Sequence, residues 1–243
     1  SIEWDGTAKS TNYQISETVG TLTVTQQSID PNDPDHKYNG VTVNSPSNEV
    51  YDGKEHKWSP AVADKEGNAL VEGTDYEVAY STEDFTNVTG IITVTISGIG
   101  NYTGTVTRKY EITPKAYTVT TESANKVYDG TALTAGGKIE GIVDGEVVVV
   151  HTTGSQTDVG STPNTYELEW KKASSKNYKL KEDSIGTLTV KAQSIVPDPE
   201  NPETYLGIEI NSPSDEVYDG KEHKWSPKVT NKEGNALFEG RDY

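Results

Sequence analysis

The sequence predicts an all-β protein made of small antiparallel β modules in tandem, either immunoglobulin-like sandwiches or β-grasp-like sheets, in an elongated arrangement. Apolar side chains alternate with polar ones in short runs such as IITVTI (91–96) and GTLTV (186–190). This period of two is typical of strands with one solvated face. Turn signals such as Asp52-Gly53 and Asp144-Gly145 separate the runs. No segment carries the i, i+3, i+4, i+7 apolar stripe that predicts a long helix.

The composition limits the size of the core and the available chemistry. Apolar residues make up 32% of the 243 residues and the mean hydropathy is −0.69, which favours several small cores over one large core. Cysteine is absent, which excludes disulfides, thiolate metal sites and thiol nucleophiles. Methionine is absent too, and we therefore expect the sequence to be a piece of a longer protein.

The charge balance limits the partners. The chain has 21 Lys and Arg against 38 Asp and Glu, a net charge of −17. A nucleic-acid partner requires a basic surface, and so does adhesion to an anionic membrane. No run approaches the ~18 apolar residues of a membrane span. We expect no nucleic-acid partner and no direct insertion into a membrane.

Internal repetition is the strongest signal in the sequence. Residues 44–60, NSPSNEVYDGKEHKWSP, recur at 211–227 with one substitution, Asn48 to Asp215. The two copies then end alike, with KEGNALVEGTDY closing at Tyr76 and KEGNALFEGRDY closing at Tyr243. The chain therefore holds one period of 167 residues, followed by a partial copy of its beginning.

A weaker repeat, the Tyr-Asp-Gly motif at 51–53, 128–130 and 218–220, divides each period into two related domains. Acidic, Pro-rich stretches at 30–35 and 196–203 indicate junctions. The predicted domains are the C-terminal part of a B-type repeat at 1–27, an A-type repeat at 28–114, a B-type repeat at 115–192, and the N-terminal part of a second A-type repeat at 193–243. Two other phasings stay open. Either 1–76 and 168–243 are matching units around a middle segment, or the incomplete ends complement each other between neighbouring molecules.

The two A-type copies also predict which side chains face the core. Ala61 is replaced by Lys228 in the second copy, whereas Val62 is kept as Val229. Lysine is tolerated only at an exposed position, so Val62 is predicted to point inward. Counting back by two places Trp58 and His56 on the same inward side.

These patterns resemble known surface repeats. The A pattern, which includes VYDGKEHKWSPAV (50–62) and GIITVTISGIGNYTGTVTRKYEITP (90–114), resembles the immunoglobulin-like or β-grasp-like repeats of cell-wall-anchored proteins of Gram-positive bacteria. The B pattern, which includes NKVYDGTALT (125–134) and GIVDGEVVVV (141–150), is similar to the MBG or YDG-type repeats of bacterial adhesins. The resemblance covers essentially the whole chain. It implies an extracellular location in the cell wall and a chain that is monomeric within a longer multi-repeat protein.

We expect no enzymatic activity and no organic cofactor. The four histidines are not part of a GxSxG, HExxH or P-loop motif. The segment GIGNYTG (98–104) resembles a dinucleotide fingerprint, but it lies between two predicted strands and opens no helix. A hairpin turn is the better interpretation.

Two sets of residues are candidate binding sites. Asp30, Asp33 and Asp35 offer the hard oxygen ligands that calcium prefers, but they lack the spacing and glycine of an EF-hand, and the prolines between them favour a solvated linker. The aromatic candidates for partner binding are Trp58, Trp225, Tyr38 and Tyr205. A partly exposed Trp is a common anchor of interfaces, but the inward parity of Trp58 favours a structural role.

The function predicted from the sequence is a non-catalytic, extracellular repeat region that binds a host protein or glycoprotein, such as a mucin, matrix protein or immunoglobulin. Repetition would raise avidity through effective concentration. The alternative is a passive stalk that projects another adhesive domain from the cell wall.

Overall fold

The computed structural model describes residues 20–35, 37–197, 199–200 and 207–243. In these residues the regular structure is β-strand, apart from one 3-10 turn at Ser175–Asn177, so the predicted all-β class is confirmed. None of their helical segments is long and apolar enough to cross a membrane. The strands are β1 Gln27–Ser28, β2 Thr42–Val43, β3 Glu49–Val50, β4 Val62–Ala63, β5 Tyr76–Tyr80, β6 Ile91–Gly98, β7 Tyr102–Thr103, β8 Thr105–Thr113, β9 Lys115–Thr121, β10 Ala124–Val127, β11 Gly137–Glu140, β12 Val148–Thr152, β13 Gly160–Pro163, β14 Tyr166–Trp170, β15 Tyr178–Ser184, β16 Thr187–Lys191, β17 Glu209–Ile210, β18 Val229–Thr230 and β19 Ala236–Leu237.

The chain divides into two compact units. Unit 1 comprises the described part of Ser1–Ser47 together with Lys57–Glu83 and Ile91–Tyr110, and unit 2 comprises Asn48–His56, Asp84–Gly90 and the described part of Glu111–Tyr243. The four predicted domains, 1–27, 28–114, 115–192 and 193–243, stay a prediction. Most of the first one lies outside the described residues.

Unit 1 is built around the long strand β6. This strand pairs antiparallel with β5, with Val78 opposite Ile96, and β8 lies on its other side. Two short pairs accompany it: β2 with β4 antiparallel and β1 with β7 parallel. The turn between β6 and β7 is tight, because a Cβ on Gly98 would come within 2.6 Å of the Thr103 backbone nitrogen. Glycine is therefore required there.

The core of unit 1 follows the alternation seen in the sequence. Ile92, Val94 and Ile96 are at most 1% exposed, while the threonines between them are half-buried on the other face of the strand. Val62 is 2% exposed and Ala61 is exposed, which confirms the facing predicted from the two A-type copies. Alternation of apolar residues thus places this core correctly.

Unit 2 has mixed rather than purely antiparallel sheets. Its strand β9 pairs antiparallel with β11 and parallel with β15, and β16 pairs antiparallel with β13 and parallel with β10. The last residues of β8 pair in parallel with β3, with Val50 opposite Thr113. Apolar and polar residues alternate in the same way in parallel and in antiparallel strands, so the sequence could not distinguish the two kinds of pairing.

The remaining pairs of unit 2 are antiparallel: β12 with β14, and β18 with β17 on one side and β19 on the other. The buried apolar residues include Val119, Leu188 and Val190, each at most 1% exposed. Asn164 is fully buried, and its side-chain amide donates to the backbone oxygens of Glu122 and Ala135 at 3.0 and 3.2 Å. This side chain satisfies carbonyl groups that the neighbouring strands leave unpaired.

We predict a sharp difference between two isoleucines of β6. Ile96→Ala should lower the free energy of unfolding by about 2 to 5 kcal/mol, because a fully buried side chain leaves a cavity. Ile91, on the same strand, is 65% exposed, and Ile91→Ala should change the free energy of unfolding by less than about 0.5 kcal/mol. Urea unfolding followed by circular dichroism measures both. Equal losses in the two variants would contradict the described burial of β6.

Candidate functional site

Trp58 lies in an extended segment of unit 1 that is not part of a strand. Its backbone N–H donates to the hydroxyl of Tyr110 at 3.3 Å, and its carbonyl accepts the hydroxyl of Tyr80 at 2.7 Å. Proline at position 60 cannot donate to a ladder, and side-chain hydroxyls take the place of a strand partner. Trp58 therefore lies outside the strands, and its indole is half-buried, as the parity of its position predicts.

A small patch of three residues, Lys57, Trp58 and Tyr80, lies beside these hydrogen bonds, and we call it the Trp58 patch. The Lys57 ammonium lies 4.8 Å from the centre of the Tyr80 ring, a distance at which a cation is attracted to the ring face. Burial raises the pKa of Tyr80, and the charge of Glu72 raises it further. The tyrosine is thus neutral at physiological pH and can donate its hydroxyl proton to the Trp58 carbonyl.

The three Tyr-Asp-Gly motifs fold into the same turn. In each, the Asp Oδ1 accepts the backbone N–H two residues later at 2.9 Å, and the following Gly has a φ between 74° and 79°. Such a turn needs an Asp or Asn acceptor followed by a residue that tolerates positive φ. The members of this set are Asp52 with Lys54, Asp129 with Thr131, and Asp219 with Lys221.

Further contacts fix these turns. His56 and His223 lie 2.8 and 2.7 Å from Asp52 and Asp219, measured from Nε2 to Oδ1. The hydrogen bond from the Lys54 N–H lowers the pKa of Asp52, and the His56 ring lowers it further. In the middle motif Lys126 bonds Asp129 at 2.6 Å and lowers its pKa. The motif is therefore a recurring structural turn, and its histidines serve that turn.

A cluster of tyrosines around one carboxylate lies within unit 2, and we call it the Glu146 cluster. The hydroxyl groups of Tyr51 and Tyr178 each donate to one of the two Glu146 carboxylate oxygens. The two tyrosine rings meet edge to face with centroids 5.5 Å apart, and Trp170 packs against Tyr178 at the same distance. Tyr51 and Tyr178 are 3% and 6% exposed.

The electrostatics of the Glu146 cluster keep its tyrosines neutral. Burial raises the pKa of both Tyr51 and Tyr178, and hydrogen bonding to Glu146 raises each pKa further. Ionising either hydroxyl would place a second negative charge beside the carboxylate and remove a donor. Sequence reasoning missed this cluster, because nothing in the sequence connects Glu146 to Tyr51. The one available signal was the Tyr of the repeated Tyr-Asp-Gly motif.

Tyr38 and the acidic junction serve local structure. The Tyr38 hydroxyl donates to the Val41 carbonyl at 2.8 Å, and the residue is half-buried. Asp30 accepts the N–H of Asn32, and Asp33 accepts that of Asp35, both at 2.9 Å. The structure does not bring the three predicted calcium ligands Asp30, Asp33 and Asp35 together as a group that could hold a metal ion.

The two remaining aromatic candidates lie in the second A-type copy. Trp225 is 47% exposed, whereas Tyr205 lies outside the described residues. Trp225 is thus the most accessible of the aromatic candidates that the structure describes.

In the described ranges, no group of three or more acidic and histidine side chains is placed to hold a metal ion. A cleft of about 810 Å³ in unit 2 is lined by several carboxylates. Two of these already have partners, because Asp129 caps its turn and Asp242 forms an ion pair with Arg241 at 2.8 Å. His151 pairs with Glu169 at 2.8 Å on an exposed surface. The geometry supports packing and turn formation better than it supports proton transfer.

In the comparisons with known proteins, no family model and no curated protein matches the chain. The resemblance to cell-wall repeats stays an expectation from the sequence.

The Glu146 cluster predicts a loss of stability in alkali. A tyrosine whose pKa is raised by folding stabilises the folded chain below the pKa of the unfolded state, ~10. That contribution is lost as the pH rises from this value through the folded pKa. The free energy of unfolding should therefore fall above pH ~10, and it should fall less steeply in the double variant Tyr51→Phe with Tyr178→Phe. Urea unfolding at a series of pH values, with ultraviolet absorbance of tyrosinate, measures this.

A matched control for this prediction is Tyr128→Phe. Tyr128 is 37% exposed, and its hydroxyl has no hydrogen bond to the residues that the structure describes. This substitution should leave the pH dependence unchanged. An alkaline profile that is the same in the double variant and in the wild type would show that the cluster does not hold its tyrosines neutral.

Proposed function

We propose that this chain is a non-catalytic repeat region of an extracellular bacterial surface protein, in which the β modules act as a spacer that carries another domain away from the cell wall. The observation that supports this proposal best is that the repeated residues form turns within their own modules. All three Tyr-Asp-Gly motifs serve the same turn. A repeated sequence that serves the structure of its own module is typical of a repeat protein whose function is to provide length and stiffness.

The candidate binding residues support the same proposal. The backbone of Trp58 is held by two tyrosine hydroxyls, and the Tyr38 hydroxyl is bonded to Val41. The Tyr38 hydroxyl and the half-buried Trp58 ring thus contribute to the structure of their own module. The extracellular, cell-wall location rests on the sequence resemblance alone.

A second candidate function is multivalent binding of a host protein or glycoprotein, such as a mucin, matrix protein or immunoglobulin. The Trp58 patch favours it, since aromatic residues are enriched at interfaces. The second copy keeps the corresponding Lys224 and Trp225. Two weak sites on one chain would gain from effective concentration.

The two functions are separated by one binding experiment. The immobilised wild-type chain is incubated with host serum and with mucin, and the retained proteins are identified by mass spectrometry. A spacer retains no more host protein than an unrelated β-repeat chain of equal charge. Specific retention that is lost on Lys57→Ala, with stability unchanged, would overturn the spacer proposal in favour of binding.

Spacer activity is tested by display on bacteria. The chain is inserted between a wall anchor and a reporter binding domain, and capture of beads coated with the reporter's ligand is measured. Capture should increase with one chain and again with two chains in series. Capture that does not depend on the inserted length would contradict the proposal.

The two tryptophans of the repeated segment should differ in their effect on stability. Trp58→Ala should lower the free energy of unfolding by about 1 to 3 kcal/mol, because a half-buried ring is removed from its packing. Trp225→Ala should lower it by less than about 0.5 kcal/mol, because Trp225 lies at the surface. Thermal unfolding of both variants measures this. Equal effects would contradict the structural role assigned to Trp58.

A further inference from the structure

Residues 115–191 of unit 2 begin and end with strands that pair in parallel. β9 and β10 are the first strands of this segment, and β15 and β16 are the last. β9 pairs in parallel with β15, and β10 pairs in parallel with β16. We call these two pairs together the end-strand ladder. All four strands belong to unit 2.

The two ends of the segment lie at opposite ends of the paired strands. Lys115 begins β9 and lies opposite Tyr178, the first residue of β15. Lys191 ends β16 and lies opposite Val127, the last residue of β10. Tension between the ends of the segment enters each first strand at its N-terminal end and leaves each last strand at its C-terminal end. Because the strands of each pair run in the same direction, such tension slides them past each other along their length.

Side-chain hydroxyls join the two pairs of the end-strand ladder. Thr121 is the last residue of β9, and its hydroxyl accepts the Gly186 N–H at 2.8 Å. The Ser123 hydroxyl accepts the Thr187 N–H at 2.9 Å. The two chain segments approach closely here, because a Cβ on Gly186 would come within 2.3 Å of the Glu122 carbonyl oxygen. The hydrogen bonding therefore continues across the residues that separate β9 from β10.

The end-strand ladder also carries buried side chains. Val119 of β9 and Leu188 and Val190 of β16 are each at most 1% exposed. Sliding of the strands therefore breaks the ladder hydrogen bonds and also removes these side chains from a close-packed interior. The hairpin of β12 with β14 lies between the first and the last strands along the chain. It carries no tension until the end-strand ladder has opened.

Unit 1 contains a similar pairing between an early and a late strand. β1 pairs in parallel with β7. The N–H groups of Gln27 and Ile29 donate to the carbonyls of Asn101 and Thr103 at 2.9 and 2.8 Å. The arrangement is thus present once in each unit.

We propose that the end-strand ladder is a mechanical clamp, which makes residues 115–191 resist tension between the two ends of this segment. Under such tension the ladder hydrogen bonds are loaded together, whereas strands that are peeled apart lose them one at a time. Forced unfolding is governed by the rate of unfolding and not by equilibrium stability. The proposal goes beyond the spacer function, because a spacer provides distance without resistance to force, and it does not depend on that function.

The clamp is tested by single-molecule force spectroscopy on the full chain. The chain has no cysteine, so two engineered cysteines attach DNA handles at chosen exposed residues. Ala116→Cys with Lys191→Cys loads the ladder in the sliding geometry. Ala116→Cys with Lys179→Cys loads it in the peeling geometry, because these two exposed residues lie opposite each other in the β9–β15 pair. Only the chain between the handles carries tension in either geometry.

The two geometries should give different forces at the same pulling speed. The unfolding force should be at least about twofold higher in the sliding geometry, because several ladder hydrogen bonds must break together. Release of about 250 Å of chain in the sliding geometry identifies the opening of this segment. Equal forces in the two geometries would overturn the proposal.

Two proline variants test the path of the load. The Tyr128 N–H donates to the Lys191 carbonyl at 2.8 Å at the end of the β10–β16 pair. The Thr153 N–H donates to the Thr165 carbonyl at 2.7 Å at the end of the β12–β14 hairpin. Proline removes the donor in each case. Tyr128→Pro should lower the unfolding force in the sliding geometry, whereas Thr153→Pro, the matched control, should leave it unchanged.

Circular dichroism shows that both variants are folded before they are pulled. An equal loss of force in the two variants would contradict the clamp, because the hairpin would then carry the load as well. The comparison of the sliding and peeling geometries requires neither proline variant, so it decides the proposal even where one of them does not fold.

Discussion

Hydrogen bonds that tyrosine hydroxyls donate or accept hold segments that the short strands of this chain leave unpaired. In unit 1, two such hydroxyls bond the backbone on either side of Trp58. In unit 2, two more bond the carboxylate of Glu146. A chain with few apolar residues and no cysteine has small cores and no disulfides, so polar contacts of buried and half-buried aromatic rings add to its order. Raised tyrosine pKa values follow from the same burial that makes these contacts strong.

The sequence predicted the features that depend on local physics. Alternation of apolar residues located β6, because a strand needs only two-residue periodicity to divide its faces. Comparison of the two A-type copies located the inward side of Val62. The Asp-Gly pairs located the turns, since an acceptor and a positive φ are both local requirements. Features that join distant residues were not predictable. The parallel pairing of β9 with β15 and the approach of Tyr51 to Glu146 leave no trace in spacing or composition.

The segment around Trp58 shows the same difference between local features, which the sequence predicted, and long-range contacts, which it did not. The parity argument correctly made Trp58 half-buried, but the extended segment around it is held by side chains that lie 22 and 52 residues further along the chain. No period in the sequence encodes such a bond. The turn of the repeated segment is therefore fixed by residues within the segment. The rest of the segment is held by hydrogen bonds to residues of other strands.

The parallel pairing of β9 with β15 has a consequence for how the chain folds. Lys115 pairs with Tyr178, and Thr120 pairs with Ser184. The long loop between the two strands must close before any of these ladder hydrogen bonds can form. Contacts of this kind slow folding, whereas the Asp turns and the hairpin of β12 with β14 involve residues that are near in sequence and form fast. We expect the rate of folding of unit 2 to be set by closure of the β9–β15 pair. Substitutions in that pair should slow folding more than substitutions in the turns, whatever their effect on equilibrium stability.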